Sequence, residues 1–275
     1  MISDEQLEKF TTIAQIGNGS FGKCFLCERC SDGEQVVLKK IMLNEDAKFE
    51  AFLTSQINHE NVVKTFESYV SHRSVYIVME YMSGGTLHEL VKQPGKPLED
   101  RIVLNYTSQI ASALSNVLLT DHKHLDHKIL KLCDFGIALK LESGQRLKGK
   151  IGAPGTLNYL APEILGACEY DFKADIWSLG CVVFEMIERE KAFPGVQELA
   201  VFHKICNRIV AIPEDSKLCF LINVLLEPKQ EKRPSAEEVL TLLENMALIE
   251  ECTNDGNRWW NFSFWPKGKR TYHLK

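Results

Sequence analysis

The strongest constraint on how this chain folds is a change of hydrophobic periodicity about one third of the way along it. Strand-like runs occupy residues 10–16, 22–29 and 35–43, with turn residues at 17–22 and at Ser31-Asp32-Gly33. A short helix over 45–58 follows, then two more strands over 62–70 and 75–81. Ser83-Gly84-Gly85-Thr86 next offers caps for a helix beginning near Leu87, and from there the chain reads mostly as helices separated by Pro and Gly. Strands first and helices after predict an α+β chain in two lobes, a small antiparallel-sheet lobe and a larger helical one, joined near residues 81–85. Residues 1–9 read as a lead, 10–82 as the small lobe, 83–249 as the large lobe and 250–275 as an extension. That extension carries Trp259-Trp260-Asn261-Phe262-Ser263-Phe264-Trp265 ahead of basic residues, a pattern that either packs back on the domain or meets a partner.

Composition removes several classes of function. With 45% hydrophobic residues in 275, the chain has ample material for a buried core, which excludes a disordered chain. A net charge of −5 provides no broad basic field, so neither nucleic acid nor an anionic membrane is the expected partner, and any phosphate binding must be local. The longest apolar run, 176–187, is broken by Ser178 and Glu185 and reads as a buried helix rather than a membrane span. Nine cysteines without a framework, and a polar acidic start at residues 1–6, point to a reducing setting: cytoplasmic, with cytoskeletal or nuclear association left open.

Gly17-Asn18-Gly19-Ser20-Phe21-Gly22 lies between two strand-like runs, not at the strand-to-helix turn of a dinucleotide site. Without side chains, backbone amides there can approach phosphate oxygens closely; the plainer reading is a glycine-rich hairpin. The next strand carries Val36-Val37-Leu38-Lys39, where a lysine on an edge strand is ordinarily only solvated. Asp134-Phe135-Gly136 is then followed by Ala161-Pro162-Glu163 and by Asp175-Ile176-Trp177-Ser178-Leu179-Gly180.

In this order and spacing the motifs resemble those of eukaryotic-type protein kinases over residues 10–247, and the Gly84-Gly85-Thr86-Leu87 stretch is most similar to the NIMA-related group. The resemblance implies ATP with magnesium (Mg2+) as cofactors, and a protein as substrate or regulated partner. It places Ile16, Gly17, Gly19, Gly22, Cys24, Val37, Lys39, Glu50, Met79, Glu80 and Met82 around the nucleotide. Lys39 would reach the phosphates with Glu50 as its partner, the backbone of Glu80 and Met82 would bond adenine, and Met79 would limit the space behind it. Asp134 would hold magnesium, joined by Asn116, and Glu163 would pair with Arg233 as a structural ion pair. Gly155-Thr156-Leu157-Asn158-Tyr159 is similar to the peptide-facing segment of serine/threonine kinases, although Thr156 capping a turn is the plain alternative. Residues 144–155 contain no Ser, Thr or Tyr, so the usual phosphorylation switch is not available there.

Two departures qualify this resemblance. Lys39 stands only 11 residues before Glu50, a spacing that predicts a shortened helix, and Cys24 takes a place usually filled by Val. More seriously, no His-Arg-Asp occurs anywhere in the chain. Ile110-Ala111-Ser112-Ala113-Leu114-Ser115 runs directly into Asn116-Val117-Leu118-Leu119, which resembles the strand after the missing loop, with a second strand expected over 129–133. About fifteen residues of the family pattern are gone. A second register puts Asn116 in the slot of the catalytic aspartate and Asp121 in that of the metal-binding Asn, and neither register supplies an Asp base. Asp121 and Asp126 are the substitute carboxylates at hand, in a histidine-rich stretch that reads more simply as a polar turn than as a metal site. The loss also predicts a void or rearrangement in the large lobe. Three readings stay open: a nucleotide-binding module without turnover, a weakly active kinase, and a splice or gene-model variant of an active one.

Overall fold

The computed structural model describes residues 7–19, 22–71, 73–95, 97–115, 129–139, 141, 145–149, 155–212 and 218–253. The small lobe is a five-stranded antiparallel sheet in the order β1-β2-β3-β5-β4, formed by β1 (Phe10–Gly19), β2 (Gly22–Arg29), β3 (Gln35–Met42), β4 (Thr65–Val70) and β5 (Ser74–Glu80). Helix α1 (Glu45–Gln56) packs across it. Asn44 caps α1, accepting from the Ala47 amide at 2.7 Å, and Glu45 and Asp46 place negative charge in its first turn. Ala47, Glu50, Ala51 and Thr54 form its buried face, so helical periodicity itself turns Glu50 toward the sheet.

Several expected boundaries shift. β1 continues through Gly19, so the glycine segment is paired strand except at 20–21, which lie outside the described residues. The strand expected over 62–70 begins only at Thr65, and the one expected over 129–133 is not a strand: Val62 and Leu132 make a single parallel bridge instead. Asn61 explains the interruption, because its side-chain amide and its backbone both bond the 130–132 stretch. β3 is the middle strand and not an edge, which takes Lys39 out of solvent.

The large lobe consists of α2 (Leu87–Lys92), α3 (Asp100–Ser115), α4 (Pro162–Leu165), α5 (Lys173–Glu188), α6 (Glu198–Cys206), α7 (Cys219–Leu225) and α8 (Ala236–Thr253), with a short ribbon of β6 (Leu147–Lys148) and β7 (Glu169–Tyr170). Thr86 and Glu89 close a reciprocal capping box at the start of α2. α3 packs on α5 and α8, and its buried side chains share one apolar cluster with both, so the described large-lobe core is continuous. Trp177 stacks on Phe193 at that centre, with centroids 5.5 Å apart. Gly180 permits close approach of the end of α7, since a Cβ there would sit 2.9 Å from the Leu225 Cβ.

Arg233 fastens three parts of this lobe. Its guanidinium donates to Glu163 Oε1 at 2.7 Å and Oε2 at 3.2 Å, to the Lys173 carbonyl at 2.7 Å and to the Glu227 carbonyl at 3.0 Å, and it lies over the Trp177 ring. At 1% exposure it has no access to water to replace a lost partner. Arg233→Met should therefore cost about 3–5 kcal/mol in chemical denaturation, because Glu163 is left charged and buried. Arg233→Lys should recover only a minor part, since an ammonium cannot fork onto both oxygens. A Met variant within about 1 kcal/mol of the parent would show the pair to be dispensable.

Candidate functional site

Lys39 projects from the middle strand, opposite Cys24 of β2 and Ile77 of β5. Its Nζ donates to Glu50 Oε1 at 2.6 Å and to Asp134 Oδ1 at 2.7 Å. Lys39 and Glu50 are 5% and 4% exposed, whereas the Asp134 side chain is half open. Burial pulls the lysine toward neutrality, but the hydrogen bonds and charges of Asp134 and Glu50 outweigh it and hold its pKa above the ordinary value. The 11-residue spacing between Lys39 and Glu50 thus does not prevent the ion pair. A 12-residue helix starting at its Asn44 cap puts the carboxylate within reach. Asp134 lies in the left-handed region at φ 66°, a conformation that aspartate tolerates better than most residues.

The two thiols nearest this cluster are both quieted. Burial pushes the Cys24 thiol up against the opposing pull of the Lys39 ammonium, and burial together with the Asp134 carboxylate pushes Cys133 up. Gly22 adopts φ 118°, and a Cβ there would lie 2.4 Å from the Lys40 carbonyl, so only glycine fits where β2 begins. Gly17 faces Cys24 across the β1–β2 ladder and Gly19 faces Gly22. Ile16 is half exposed on β1, Val37 is buried, and Met79 packs against the small-lobe cluster of Ile41 and Ile77. Glu80 ends β5, and Met82 is partly open two residues beyond it. Asn116, Asp121 and Asp126 lie outside the described residues.

Sequence reasoning did not find the groups that connect the lobes. Asn61 Nδ2 donates to the Leu130 carbonyl and to Gln109 Oε1, both at 3.0 Å, and Gln109 Oε1 also accepts from the Leu130 amide at 2.7 Å. His59 reaches Ser112 of α3 at 3.1 Å. Lys131 Nζ donates to Glu80 Oε1 at 2.7 Å. The nearest signal in the sequence is His59-Glu60-Asn61-Val62, which begins nine residues after Glu50. A second missed cluster anchors the 155–163 segment: the Tyr159 hydroxyl donates to Glu185 Oε2 at 2.5 Å, and His88 Nδ1 lies 3.2 Å from the other oxygen of that buried carboxylate. Thr156 precedes the turn at Leu157–Tyr159 without a side-chain capping bond, which removes the plain alternative for its hydroxyl.

Comparison with known proteins agrees with this geometry. The protein kinase domain model matches residues 10–242. The serine/threonine-protein kinase Nek9 of Mus musculus is 30% identical over 85% of this chain and 26% of its own length. The probable serine/threonine-protein kinase nek3 of Dictyostelium discoideum is 34% identical over 86% of this chain and 23% of its own length. The serine/threonine-protein kinase nekl-2 of Caenorhabditis elegans is 29% identical over 86% of this chain and 74% of its own length. This chain therefore spans about a quarter of the length of the first two relatives. With the two-lobed fold and the Lys39–Glu50–Asp134 cluster in place, the chain belongs to the protein kinase family and resembles its Nek serine/threonine members.

Proposed function

We propose that this chain holds ATP-Mg in the cleft between its lobes, as a domain of serine/threonine kinase type, and transfers phosphate weakly or not at all. One observation carries the reading: the ion cluster of Lys39, Glu50 and Asp134 is intact while the sequence has no His-Arg-Asp. The cluster fits the group. Lys39 offers a fixed cation to phosphate oxygens, with Glu50 holding its stem in place, and the half-open Asp134 carboxylate offers oxygen ligands to a hard cation. Gly22 keeps side-chain bulk away from the start of β2, where phosphates would approach. Bound magnesium would spread the negative charge of the phosphates. The protein's part is to orient them.

Turnover needs more than a bound nucleotide. A positioned general base is worth roughly 10²–10⁴ in rate, and an asparagine at residue 116 cannot accept the substrate proton as a carboxylate does. A binding or regulatory role toward a protein partner in the cytoplasm follows as the favoured activity. Weak transfer through Asp121 or Asp126 is the competing one, and a transcript that carries an exon encoding His-Arg-Asp between residues 115 and 116 would identify the chain as a variant of an active kinase.

Titration with ATP-Mg should raise the melting temperature progressively once its concentration exceeds Kd, with about 2.7 kcal/mol of stabilisation at a hundred times Kd. Lys39→Met should abolish the rise, and Asp134→Ala should remove its dependence on magnesium; a flat titration of the parent chain would sink the nucleotide reading. Incorporation of labelled phosphate into a Ser/Thr-rich protein should not exceed that of the Asp134→Ala chain. Transfer that is clearly higher in the parent, and lost in Asp121→Asn or Asp126→Asn, would instead establish the weakly active kinase.

A further inference from the structure

Glu80 is the last residue of β5, where the chain leaves the small lobe. Its backbone amide donates to the Lys64 carbonyl at 3.0 Å, and its side-chain Oε1 accepts from the Lys64 amide at 2.6 Å. The same oxygen accepts from Lys131 Nζ at 2.7 Å, a bond between side chains only 23% and 17% exposed. Lys131 belongs to the large-lobe stretch that ends at Asp134. That stretch is fixed on its other side as well: the Leu132 amide donates to the Asn61 carbonyl and the Val63 amide to the Leu132 carbonyl, each at 2.8 Å. Five consecutive residues thus meet the small lobe three ways. Backbone at 130 and 132 joins the 61–63 strip, the Lys131 side chain joins the connection between lobes, and Asp134 joins Lys39.

We propose that Lys131 is a positioning residue for the nucleotide site, a role that rests on the nucleotide reading above. By holding the Glu80 side chain, it fixes the angle at which residues 80–82 enter the connection and so aims their backbone at the cleft. Because Lys131 stands three residues before Asp134, one short segment sets both ends of the site: the connection that would face the base and the carboxylate that would face the metal. Removing the ammonium leaves the partly exposed Glu80 carboxylate held by the Lys64 amide, from which it can swing toward water. Glu80→Gln is the milder change, since an amide oxygen still accepts from both partners.

The test uses the full chain in two measurements. In Lys131→Met, affinity for a fluorescent ATP analogue with magnesium should fall about tenfold, equivalent to about 1.4 kcal/mol, and hydrogen exchange at the Lys64 amide should rise by a similar factor. Lys131→Arg should keep both within about threefold of the parent, because a guanidinium still donates to Glu80. Unchanged exchange at Lys64, affinity within about twofold of the parent, or an Arg variant as damaged as the Met one would each overturn the proposal. If the parent itself bound no nucleotide, the reading of the site would fall, and the exchange measurement would still decide whether Lys131 orders the connection.

Discussion

A buried ammonium on the middle strand of the sheet is the constraint around which this fold is organised. Desolvation of Lys39 is tolerated only because two carboxylates reach it, and those carboxylates come from parts of the chain 11 and 95 residues away. Satisfying Lys39 therefore requires α1 to lie across the sheet with its Glu50 face inward and the 130–134 segment to bring Asp134 to the same ammonium. The left-handed backbone of Asp134 belongs to this requirement, since it lets one short stretch bond the 61–63 strip and still deliver a carboxylate to Lys39. The pair with Glu50 is almost fully enclosed and the pair with Asp134 is half open, so the first is built as structure and the second as a place where chemistry can intervene.

Much of this was legible in the sequence because it depends on local rules. Apolar runs punctuated by turn residues over 10–43, and the apolar run over 75–81, mark the strands, and Ser83-Gly84-Gly85-Thr86 marks the start of α2. What local rules could not supply was partnership. Residues 129–133 look like a strand by composition, yet a strand exists only through neighbours, and the described structure gives Leu132 a single bridge to Val62. Position in the sheet was hidden for the same reason: nothing in Val36-Val37-Leu38-Lys39 says that β5 returns to its far side.

The site divides along the same line. Lys39, Glu50 and Asp134 were found because their residue types and order match a known pattern, which encodes three-dimensional proximity without revealing it. Lys131, Asn61 and Gln109 match no such pattern. A lysine beside a leucine, or an asparagine after a glutamate, has ordinary composition, and its meaning appears only when the 61–63 and 130–132 strips are side by side. The short Lys39-to-Glu50 interval leaves the ion pair intact. Interval length matters less than where the helix cap falls, and Asn44 starts the helix early enough for Glu50 to complete one and a half turns before meeting the lysine.

In the proposed function, the separation between holding a nucleotide and transferring its phosphate rests on where these contacts sit. The described bonds of the cluster lie between the sheet, α1, the 59–64 strip, α3 and the 130–134 stretch. Charge placement on phosphate needs only Lys39 and a metal ligand, whereas proton acceptance needs a carboxylate beside the attacking hydroxyl, a position supplied in intact kinases by the His-Arg-Asp loop. The described large lobe keeps a continuous core through α3, α5 and α8, and the Glu163–Arg233 pair fastens parts of that lobe to one another. Loss of the loop therefore removes the base directly, while the geometry that would grip a nucleotide is stabilised by residues elsewhere in the chain. On the function proposed above, chemistry is the first activity such a chain would forfeit, and nucleotide binding at the Lys39 cluster is the one its described contacts favour.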